Sequence, residues 1–143
     1  MSGPFVYRVY WEDTDAGGVV YHARYLAFFE RARSDWLLAH GFPQAVMRER
    51  ENRVFVVRRA DVHFVSPARL EDELAVTIAI EDLSAAALVF SQHMHRRADE
   101  RLLATARVEA VCVTADRFVP ARIPAALKQQ LIIHQQEQKP VGT

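Results

Sequence analysis

The residues with the clearest capacity for chemistry lie in one short segment, from Glu12 to His22, which holds three carboxylates, two consecutive glycines and a histidine. Asp15 could act there as a base or as a nucleophile, and Gly17 and Gly18 would let the backbone approach a ligand closely. The apolar spacing becomes helical just after the segment, and the start of a helix presents unpaired N–H groups and a positive dipole end. A carboxylate beside such donors supplies the two groups that hydrolysis of a carbonyl compound needs.

The acidic residues of this segment could also suggest a metal site. Asp13, Asp15 and Gly18 match positions 1, 3 and 6 of a calcium-binding loop, but Arg24 occupies position 12, where a bidentate glutamate is required. The acidic residues and His22 also match no spacing that is typical of a transition-metal site. We therefore predict no metal site.

Three neighbouring ring side chains could take part in the same chemistry. His22 follows Asp15 by seven residues, and it could stabilise an oxyanion through its backbone or its side chain, or tune Asp15. It could equally be a polar residue that caps or solvates the start of the helix. Tyr21 and Tyr25 flank it in the sequence, and core packing is the ordinary role of such tyrosines.

Arg58 and Arg59 are adjacent in a predicted strand, so their side chains should point to opposite faces of the sheet. One of them is therefore expected on the more buried face, where a guanidinium needs an anionic partner. That partner could be a carboxylate of the protein or a phosphate of a ligand, and the sequence leaves both open.

The elements that would position these residues follow from hydrophobic periodicity. The predicted strands are 5–11, 53–65, 74–81, 86–95 and 102–114, and the predicted helices are 23–40 and 125–138, with a helical turn within 41–52. Short polar turns between the strands imply antiparallel pairing. The expected fold class is α+β, with one long helix wrapped by a single antiparallel sheet.

The strand over 53–65 is predicted to bury one of its faces. Its apolar residues of one parity would form that face, and its polar residues of the other parity would face solvent. The predicted buried set is Val54, Val56, Ala60, Val62 and Phe64.

Length and composition bound the class of protein. The 143 residues are predicted to form a single domain over 1–143, with a tail that frays from about residue 133. Basic and acidic residues number 18 each, a balance that gives nucleic-acid binding no support. Cys112 is the one cysteine, so no disulfide forms within the chain, and its parity predicts a buried thiol.

The expected environment is the cytoplasm. The first residues lack the basic start and apolar run of a signal peptide, and no apolar run approaches the length of a membrane span. An integral membrane protein is therefore not expected. The edges of the predicted sheet would need covering, which favours a homo-oligomer.

The segment from Val9 to Leu26 resembles the signature of the hotdog-fold acyl-CoA thioesterases of the 4-hydroxybenzoyl-CoA thioesterase family. It is similar above all to the bacterial branch that is found with the Tol-Pal cell-envelope system. The segments 55–59, 64–72 and 111–113 resemble parts of that branch in the same order. The resemblance extends along the chain to about Leu131.

The resemblance implies a hotdog fold, dimers that join their sheets and often pair into tetramers, and active sites at the dimer interface. It implies that Asp15 is catalytic and that the backbone N–H of His22 polarises the thioester carbonyl. Tyr21 is the local match to a further residue near the site. The expected substrate is an acyl-CoA or an acyl group on an acyl carrier protein, and no cofactor is required because thiolate leaves readily.

Substrate contacts are expected from the same motif and from the two adjacent arginines. The arginines are candidates for binding the CoA phosphates. The residues assigned to substrate binding are Gly17, Gly18, Val19, Tyr25, Arg58 and Arg59.

Two other functions fit the same residues. An enoyl-thioester hydratase of the same fold would use Asp15 and His22 as a pair of proton-transfer groups, and it would add water without releasing CoA. A non-catalytic hotdog module would bind an acyl group or a partner protein, and its binding would survive replacement of Asp15. The Asp-x-x-Gly-Val-Val pattern that begins at Asp15 favours the thioesterase.

Overall fold

The computed structural model describes residues 4–138. Its strands are β1 (Phe5–Arg8), β2 (Arg53–Phe64), β3 (Glu73–Leu83), β4 (Ala87–Arg96) and β5 (Leu102–Thr114). Its helices are α1 (His22–Ala39), α2 (Gln44–Glu51) and α3 (Ala125–Glu137), and a short 3₁₀ turn covers Trp11–Asp13.

The five strands form one antiparallel sheet in the order β1-β3-β4-β5-β2, so β1 and β2 are its edges. In β3, buried residues alternate with more exposed ones, as a sheet with one covered face requires. Helix α1 packs on β1 and β3, and its residues Phe28, Phe29, Ala32 and Trp36 are buried in the core. The α+β prediction, with one long helix and a single antiparallel sheet, is confirmed.

The first strand ends earlier than its apolar pattern predicts. β1 stops at Arg8, and the chain then enters the 3₁₀ turn instead of continuing as a strand. The Val9 N–H bonds to the Asp72 carbonyl at 2.9 Å, and the Asp13 N–H bonds back to the Tyr10 carbonyl at 3.0 Å. The Glu71 N–H also bonds to the Val9 carbonyl at 2.9 Å, so backbone bonding across the sheet edge ends at Val9. The local turn then carries the chain from the sheet edge towards α1.

A β-bulge at Arg58 changes which residues of β2 face the core. The pairing with β5 shifts between Val57, which lies opposite Ala110, and Arg59, which lies opposite Glu109. Before the bulge the odd-numbered residues lie opposite the core residues of β5, and after it the even-numbered residues do. The inner face of β2 therefore consists of Phe55, Val57, Ala60, Val62 and Phe64.

The predicted inner face of this strand is thus correct in direction for its second half and wrong for its first half. The predicted burial is also wrong at Ala60 and Phe64, which face inward but are exposed, and Val62 is only partly buried. A bulge adds one residue to a strand and reverses the alternation of its side chains. Val54 and Val56 consequently pair with Val113 and Val111 on the other face of the sheet.

The same bulge places both arginines on the outer face. The Arg58 Nε lies 3.5 Å from the Glu109 Oε2, and the Arg59 Nε bonds to the Asp61 Oδ2 at 3.1 Å. Their side chains are 59% and 63% exposed. The expectation that one of them is buried is wrong, because the extra residue turns Arg58 to the side on which Arg59 already lies.

Helix α3 closes one end of the core against β3. Leu127 is fully buried under it, and the His134 Nε2 lies 2.9 Å from the Ile78 carbonyl oxygen. The Gln138 side chain bonds to both the N–H and the carbonyl of Ile80, at 2.8 and 2.6 Å. These contacts hold the end of the described chain against the sheet.

Three expectations concern the rest of the chain. The tail expected to fray from residue 133 is helical as far as Glu137, while 139–143 lie outside the described residues. Cys112 is buried and free, as predicted, and burial raises the pKa of its thiol. Within 4–138, no helix has the length and apolar character needed to cross a membrane.

Candidate active site

The connection from β1 to α1 begins with a buried carboxylate. Asp13 is 1% exposed. Its Oδ2 accepts the Tyr10 N–H at 2.9 Å, and its Oδ1 accepts both Nε and Nη2 of Arg24, at 3.1 and 2.6 Å. Its carbonyl accepts the Tyr21 N–H at 2.9 Å. Asp13 therefore ties the 3₁₀ turn to the first turn of α1.

The hydrogen bonds of Asp13 also make it unsuitable as a metal ligand. Its carboxylate oxygens already have protein donors, so it is a structural residue of the loop. Among the residues that the structure describes, no group of three or more histidine, cysteine or acidic side chains is arranged to hold a metal ion.

The chain next makes a tight turn between Thr14 and Val20, which pair as a short antiparallel bridge. The Asp15 N–H bonds to the Val19 carbonyl at 2.9 Å, and the Gly18 N–H returns to the Asp15 carbonyl at 3.1 Å. Gly18 has a φ of +79°, a left-handed conformation that suits glycine. The glycine thus allows the turn that presents Asp15.

Asp15 is exposed at this turn. Its Oδ1 accepts the Gly17 N–H at 2.8 Å, whereas its Oδ2 has no hydrogen-bond partner within the described residues. A Cβ atom at position 17 would lie 3.2 Å from the Asp15 Oδ1. The lack of a side chain at Gly17 therefore permits the contact that orients the carboxylate, and one carboxylate oxygen is free to react.

Helix α1 begins at His22 without a capping side chain. The backbone N–H groups of His22 and Ala23 have no acceptor in residues 4–138, and the first turn contains no acidic residue. The helix therefore starts with free donors and a positive dipole end that no carboxylate of that turn offsets. Such an end favours a negative charge that develops beside it.

Asp15 and the start of α1 open into the same surface depression. The structure brings four predicted site residues to its wall, namely Asp15, Val19, His22 and Tyr25, and the other lining residues are Val20, Phe64, Val65, Ser66 and Pro67. Gly17 and Gly18 form the adjoining turn, whereas Arg58 and Arg59 lie elsewhere, on the outer face of the sheet.

The two tyrosines of the motif have different environments. Tyr25 is buried, as core packing predicts, and its hydroxyl accepts the Ala68 N–H at 3.0 Å. The Val20 N–H bonds to the Ala68 carbonyl at 2.8 Å, so the turn and α1 hold the same short segment after β2. Tyr21 is instead 46% exposed, and its ring centroid lies 4.6 Å from that of His22.

Sequence reasoning missed two parts of the site. The first is the Asp13–Arg24 ion pair, for which no local pattern exists because a turn brings together residues eleven positions apart. The second is the ring of Phe64, whose centroid lies 6.5 Å from that of His22 and 5.1 Å from that of Tyr25. Alternation predicts the direction of Phe64, but only the curvature of the sheet brings it to α1.

Comparison with known proteins assigns the chain to a family. The model of the thioesterase-like superfamily matches residues 9–131. The acyl-CoA thioester hydrolase YbgC of Escherichia coli O6:H1 is 46% identical over 121 residues, which span 84% of this chain and 88% of that protein. The crystal structure of a probable thioesterase from Bartonella henselae is 39% identical, with a TM-score of 0.79, and the match covers 84% of this chain and 97% of that chain.

A more distant structure agrees on the architecture. The crystal structure of a 1,4-dihydroxy-2-naphthoyl-CoA thioesterase from Synechocystis has a TM-score of 0.84 at 24% identity, and the match covers 91% of this chain and 95% of that chain. At that identity the likeness concerns the fold alone. With the Bartonella structure, it confirms the hotdog fold that the resemblance implied. The chain therefore belongs to the thioesterase-like superfamily and is a thioester hydrolase.

Proposed function

We propose that this thioester hydrolase acts on acyl-CoA, with Asp15 as the reacting carboxylate and the N–H groups at the start of α1 as the oxyanion site. One observation carries the proposal: Asp15 has a free carboxylate oxygen beside the depression into which the uncapped end of α1 also opens. The substrate class is supported by the relative from Escherichia coli, which is described as an acyl-CoA thioester hydrolase.

In this mechanism the thioester carbonyl oxygen lies against the His22 N–H, where backbone donors and the helix dipole stabilise its negative charge. As a nucleophile, Asp15 attacks the carbonyl carbon, expels the CoA thiolate and forms a mixed anhydride, which water cleaves to the free acid and the regenerated carboxylate. As a general base, Asp15 instead takes a proton from a water that attacks the same carbon. Both routes release the acid and CoA.

The assignments of substrate contacts stay predictions. Val19 and Tyr25 line the depression, which supports their contact with the thioester end of the substrate. Arg58 and Arg59 lie on the outer face and already pair with carboxylates. They would therefore meet CoA only where its nucleotide leaves the depression.

We also infer a homodimer joined at the β2 edge. Within the described residues that edge has no neighbouring strand, and its inner face carries Val57 and Phe64 at 53% and 54% exposure. Pairing of two copies covers the unpaired edge and the part of the exposed apolar face that lies beside it. Because Phe64 lines the depression, the partner would border the active site, and dimers could pair further into tetramers. Sedimentation velocity tests this, and a monomer at micromolar concentration contradicts it.

Release of free thiol from a panel of acyl-CoAs tests the catalytic proposal. The wild type should release CoA, and Asp15→Asn should lose most of this activity although its side-chain oxygen can still accept the Gly17 N–H. Circular dichroism and the oligomeric state of both proteins are the controls. Equal rates in the two folded proteins would overturn the assignment of Asp15.

Absence of thiol release from every substrate would move the assignment to one of the two other functions. Water addition to an enoyl-CoA would indicate the hydratase, and tight acyl-CoA binding that Asp15→Ala leaves unchanged would indicate the binding module. An acyl carrier protein as carrier, a cytoplasmic location and a link to the Tol-Pal system rest on the resemblance and stay predictions.

A further inference from the structure

The catalytic depression and a second cavity both lie between α1 and the inner face of β2, and we call the strip that joins them the groove. One wall is a stripe of α1 whose residues recur every three or four positions, and the other wall is the inner face of β2. At one end the ring of His22 lies 6.5 Å from that of Phe64, and at the other end Leu37 and Phe55 line one cavity. The stripe of α1 consists of His22, Leu26, Glu30, Arg33 and Leu37.

The floor between these ends is apolar and accessible. Leu26 is 45% exposed, midway between His22 and Glu30 on the helix. Ala60 and Val62 lie on the inner face of β2 between Val57 and Phe64, and Ala60 is exposed. Proteins seldom leave such a strip open to water unless a partner or a ligand covers it.

The cavity at the far end has a volume of about 90 Å³. Most of its wall is aliphatic or aromatic, and three linked polar residues form part of it. The Gln44 Nε2 donates to the Ser34 Oγ at 2.8 Å, and the Ser34 Oγ donates to the Glu30 Oε1 at 2.7 Å. The apolar lining residues are Leu37, Phe55, Val57, Leu88, Phe90, Ala110, Leu127 and Leu131.

Arg33 is the one remaining polar residue of this wall, and its charge is incompletely matched. Its Nη1 donates to the Oε1 of the fully buried Gln92 at 2.9 Å, and its guanidinium carbon lies 5.8 Å from the centre of the Phe90 ring. Within residues 4–138 it forms no ion pair, and its Nε and Nη2 have no acceptor. Within 4–138, the only fully buried side-chain nitrogen or oxygen that lacks a hydrogen-bond partner is Trp36 Nε1. The Nε and Nη2 of Arg33 are therefore accessible from outside the core.

The electrostatics of Arg33 agree with this geometry. Burial lowers the pKa of its guanidinium, and the nearby carboxylate of Glu30 offsets part of this effect. An arginine has five N–H donors, and one neutral acceptor satisfies a single donor. A ligand oxygen in the cavity would satisfy others. Glu30 supplies part of the compensating negative charge, and its carboxylate would repel a second carboxylate bound in the same cavity. A neutral hydroxyl that can accept from Arg33 therefore suits the cavity better.

The distance to the catalytic end fits a chain of intermediate length. Arg33 lies eleven positions after His22, which is a rise of about 16 Å along the helix axis. An extended chain covers that length with about a dozen bonds. An acyl group much shorter than this would end before it reached the cavity.

We propose that the cavity binds the distal end of an acyl chain that carries a hydroxyl group, and that Arg33 donates a hydrogen bond to that hydroxyl. The substrate class is thus a hydroxyacyl thioester whose hydroxyl is remote from the thioester. This inference rests on the proposed thioesterase function for the placement of the thioester at Asp15 and His22.

The test compares ω-hydroxydodecanoyl-CoA with dodecanoyl-CoA as substrates of the wild type, Arg33→Met and Arg31→Met. Arg31 lies on the same helix but contacts Phe28 outside the groove, so its substitution is the matched control. The wild type and the control should prefer the hydroxylated chain in kcat/KM by roughly tenfold or more, because a hydrogen bond to a charged group discriminates at that level. Arg33→Met should abolish the preference and retain hydrolysis of dodecanoyl-CoA.

A purely structural role of Arg33 would give a different result. It would lower the rates on both substrates together and leave their ratio unchanged, which would overturn the proposal. A wild type that shows no preference between the two substrates would overturn it as well. Should Arg33→Met misfold because Gln92 loses its donor, the double variant Arg33→Met/Gln92→Met removes both partners and carries the same prediction.

Binding separates failure of this inference from failure of the thioesterase proposal. Titration calorimetry of Asp15→Asn with the two acyl-CoAs measures the preference without turnover. The Asp15→Asn protein should bind the hydroxylated acyl-CoA more tightly than dodecanoyl-CoA, and adding Arg33→Met should make the two dissociation constants equal. This result would support the cavity assignment even if no protein releases CoA. Equal affinities in the Asp15→Asn protein overturn it even if the wild type is an active thioesterase.

Discussion

Two carboxylates stand two positions apart in one loop, and the structure places them in opposite environments. We call residues 10–14 the anchoring segment and residues 15–22 the open segment. In the anchoring segment, Asp13 is buried and both of its oxygens accept hydrogen bonds, from Tyr10 and Arg24. In the open segment, Asp15 is exposed, and one of its oxygens has no partner among the described residues.

The difference shows that surroundings, and not residue type, decide what a carboxylate does. A buried carboxylate that is matched by an arginine is costly to unpair, so it specifies one loop conformation. An exposed carboxylate with a free oxygen contributes little to folding and is available to react. Substitutions in the open segment should therefore change rates, and substitutions in the anchoring segment should change stability first.

Asp15→Asn should give the largest effect on rate. We expect kcat for thiol release to fall roughly 10²–10⁴-fold, because the amide is neither a base nor a nucleophile. The free energy of unfolding should change by less than about 0.5 kcal/mol, as is usual for an exposed position. Denaturant titration beside the kinetic assay checks both numbers. A large loss of stability would contradict the view that Asp15, unlike Asp13, contributes little to folding.

The next largest effect should come from a pair of substitutions at His22 that separates its backbone from its side chain. His22→Pro deletes the N–H that we assign to the oxyanion, and it should lower kcat roughly 10²–10³-fold relative to His22→Ala. Proline suits the first position of a helix, and Tyr21 before it has φ −62° and ψ 133°, which proline tolerates.

The two His22 variants should unfold at similar denaturant concentrations, since the deleted N–H has no acceptor in the described chain. A His22→Ala protein as impaired as His22→Pro would instead assign the catalytic role to the imidazole. That outcome would favour the enoyl-thioester hydratase over the thioesterase, because the hydratase needs the His22 side chain for proton transfer.

Asp13→Ala should show the opposite pattern to Asp15→Asn: its main effect should be a loss of folding stability and not a direct loss of catalytic rate. Removing the carboxylate leaves Arg24 without its partner and the Tyr10 N–H without its acceptor. We expect the free energy of unfolding to fall by about 2 kcal/mol. This is less than for a fully buried ion pair, because Arg24 is partly exposed. Asp13→Asn keeps an acceptor for the Tyr10 N–H and should lose about half as much. Urea unfolding measures both, and unchanged midpoints would contradict the anchoring role.

Gly17→Ala should give the smallest effect, a fall in kcat of roughly tenfold. The new Cβ would press on the Asp15 Oδ1 at 3.2 Å and displace the carboxylate by a few tenths of an ångström. Gly41→Ala is the matched control, because Gly41 has a φ of +85° and open space around its Cβ position. That change should cost about 1 kcal/mol of stability and leave kcat unchanged.

The helix α1 and the long strands were predictable because their signal is local. A helix repeats its buried positions every three or four residues and a strand every second residue, whatever lies around them. The inner face of β2 shows where this reasoning stops. Arg58 and Arg59 are both polar, so the sequence contains no mark of the bulge that reverses the alternation between them.

The candidate site divides in the same way. Asp15, Val19 and His22 lie within eight residues, and their proximity follows from a turn and a helix start that the motif itself encodes. Arg33 and Gln92 are 59 positions apart. Their contact depends on where β4 lies under α1, which no periodicity predicts.

The sequence by itself determined the class of fold, the position of the main helix and the loop that holds the candidate site, because each of these depends on residues that are neighbours in the chain. The tertiary structure alone decided that Asp13 is an anchor, that both Arg58 and Arg59 face outward and that Arg33 lines a largely apolar cavity. These outcomes depend on strand order, on one bulge and on the docking of α3. Such features are set by the packing of the whole core, and a single added residue in one strand is enough to change them.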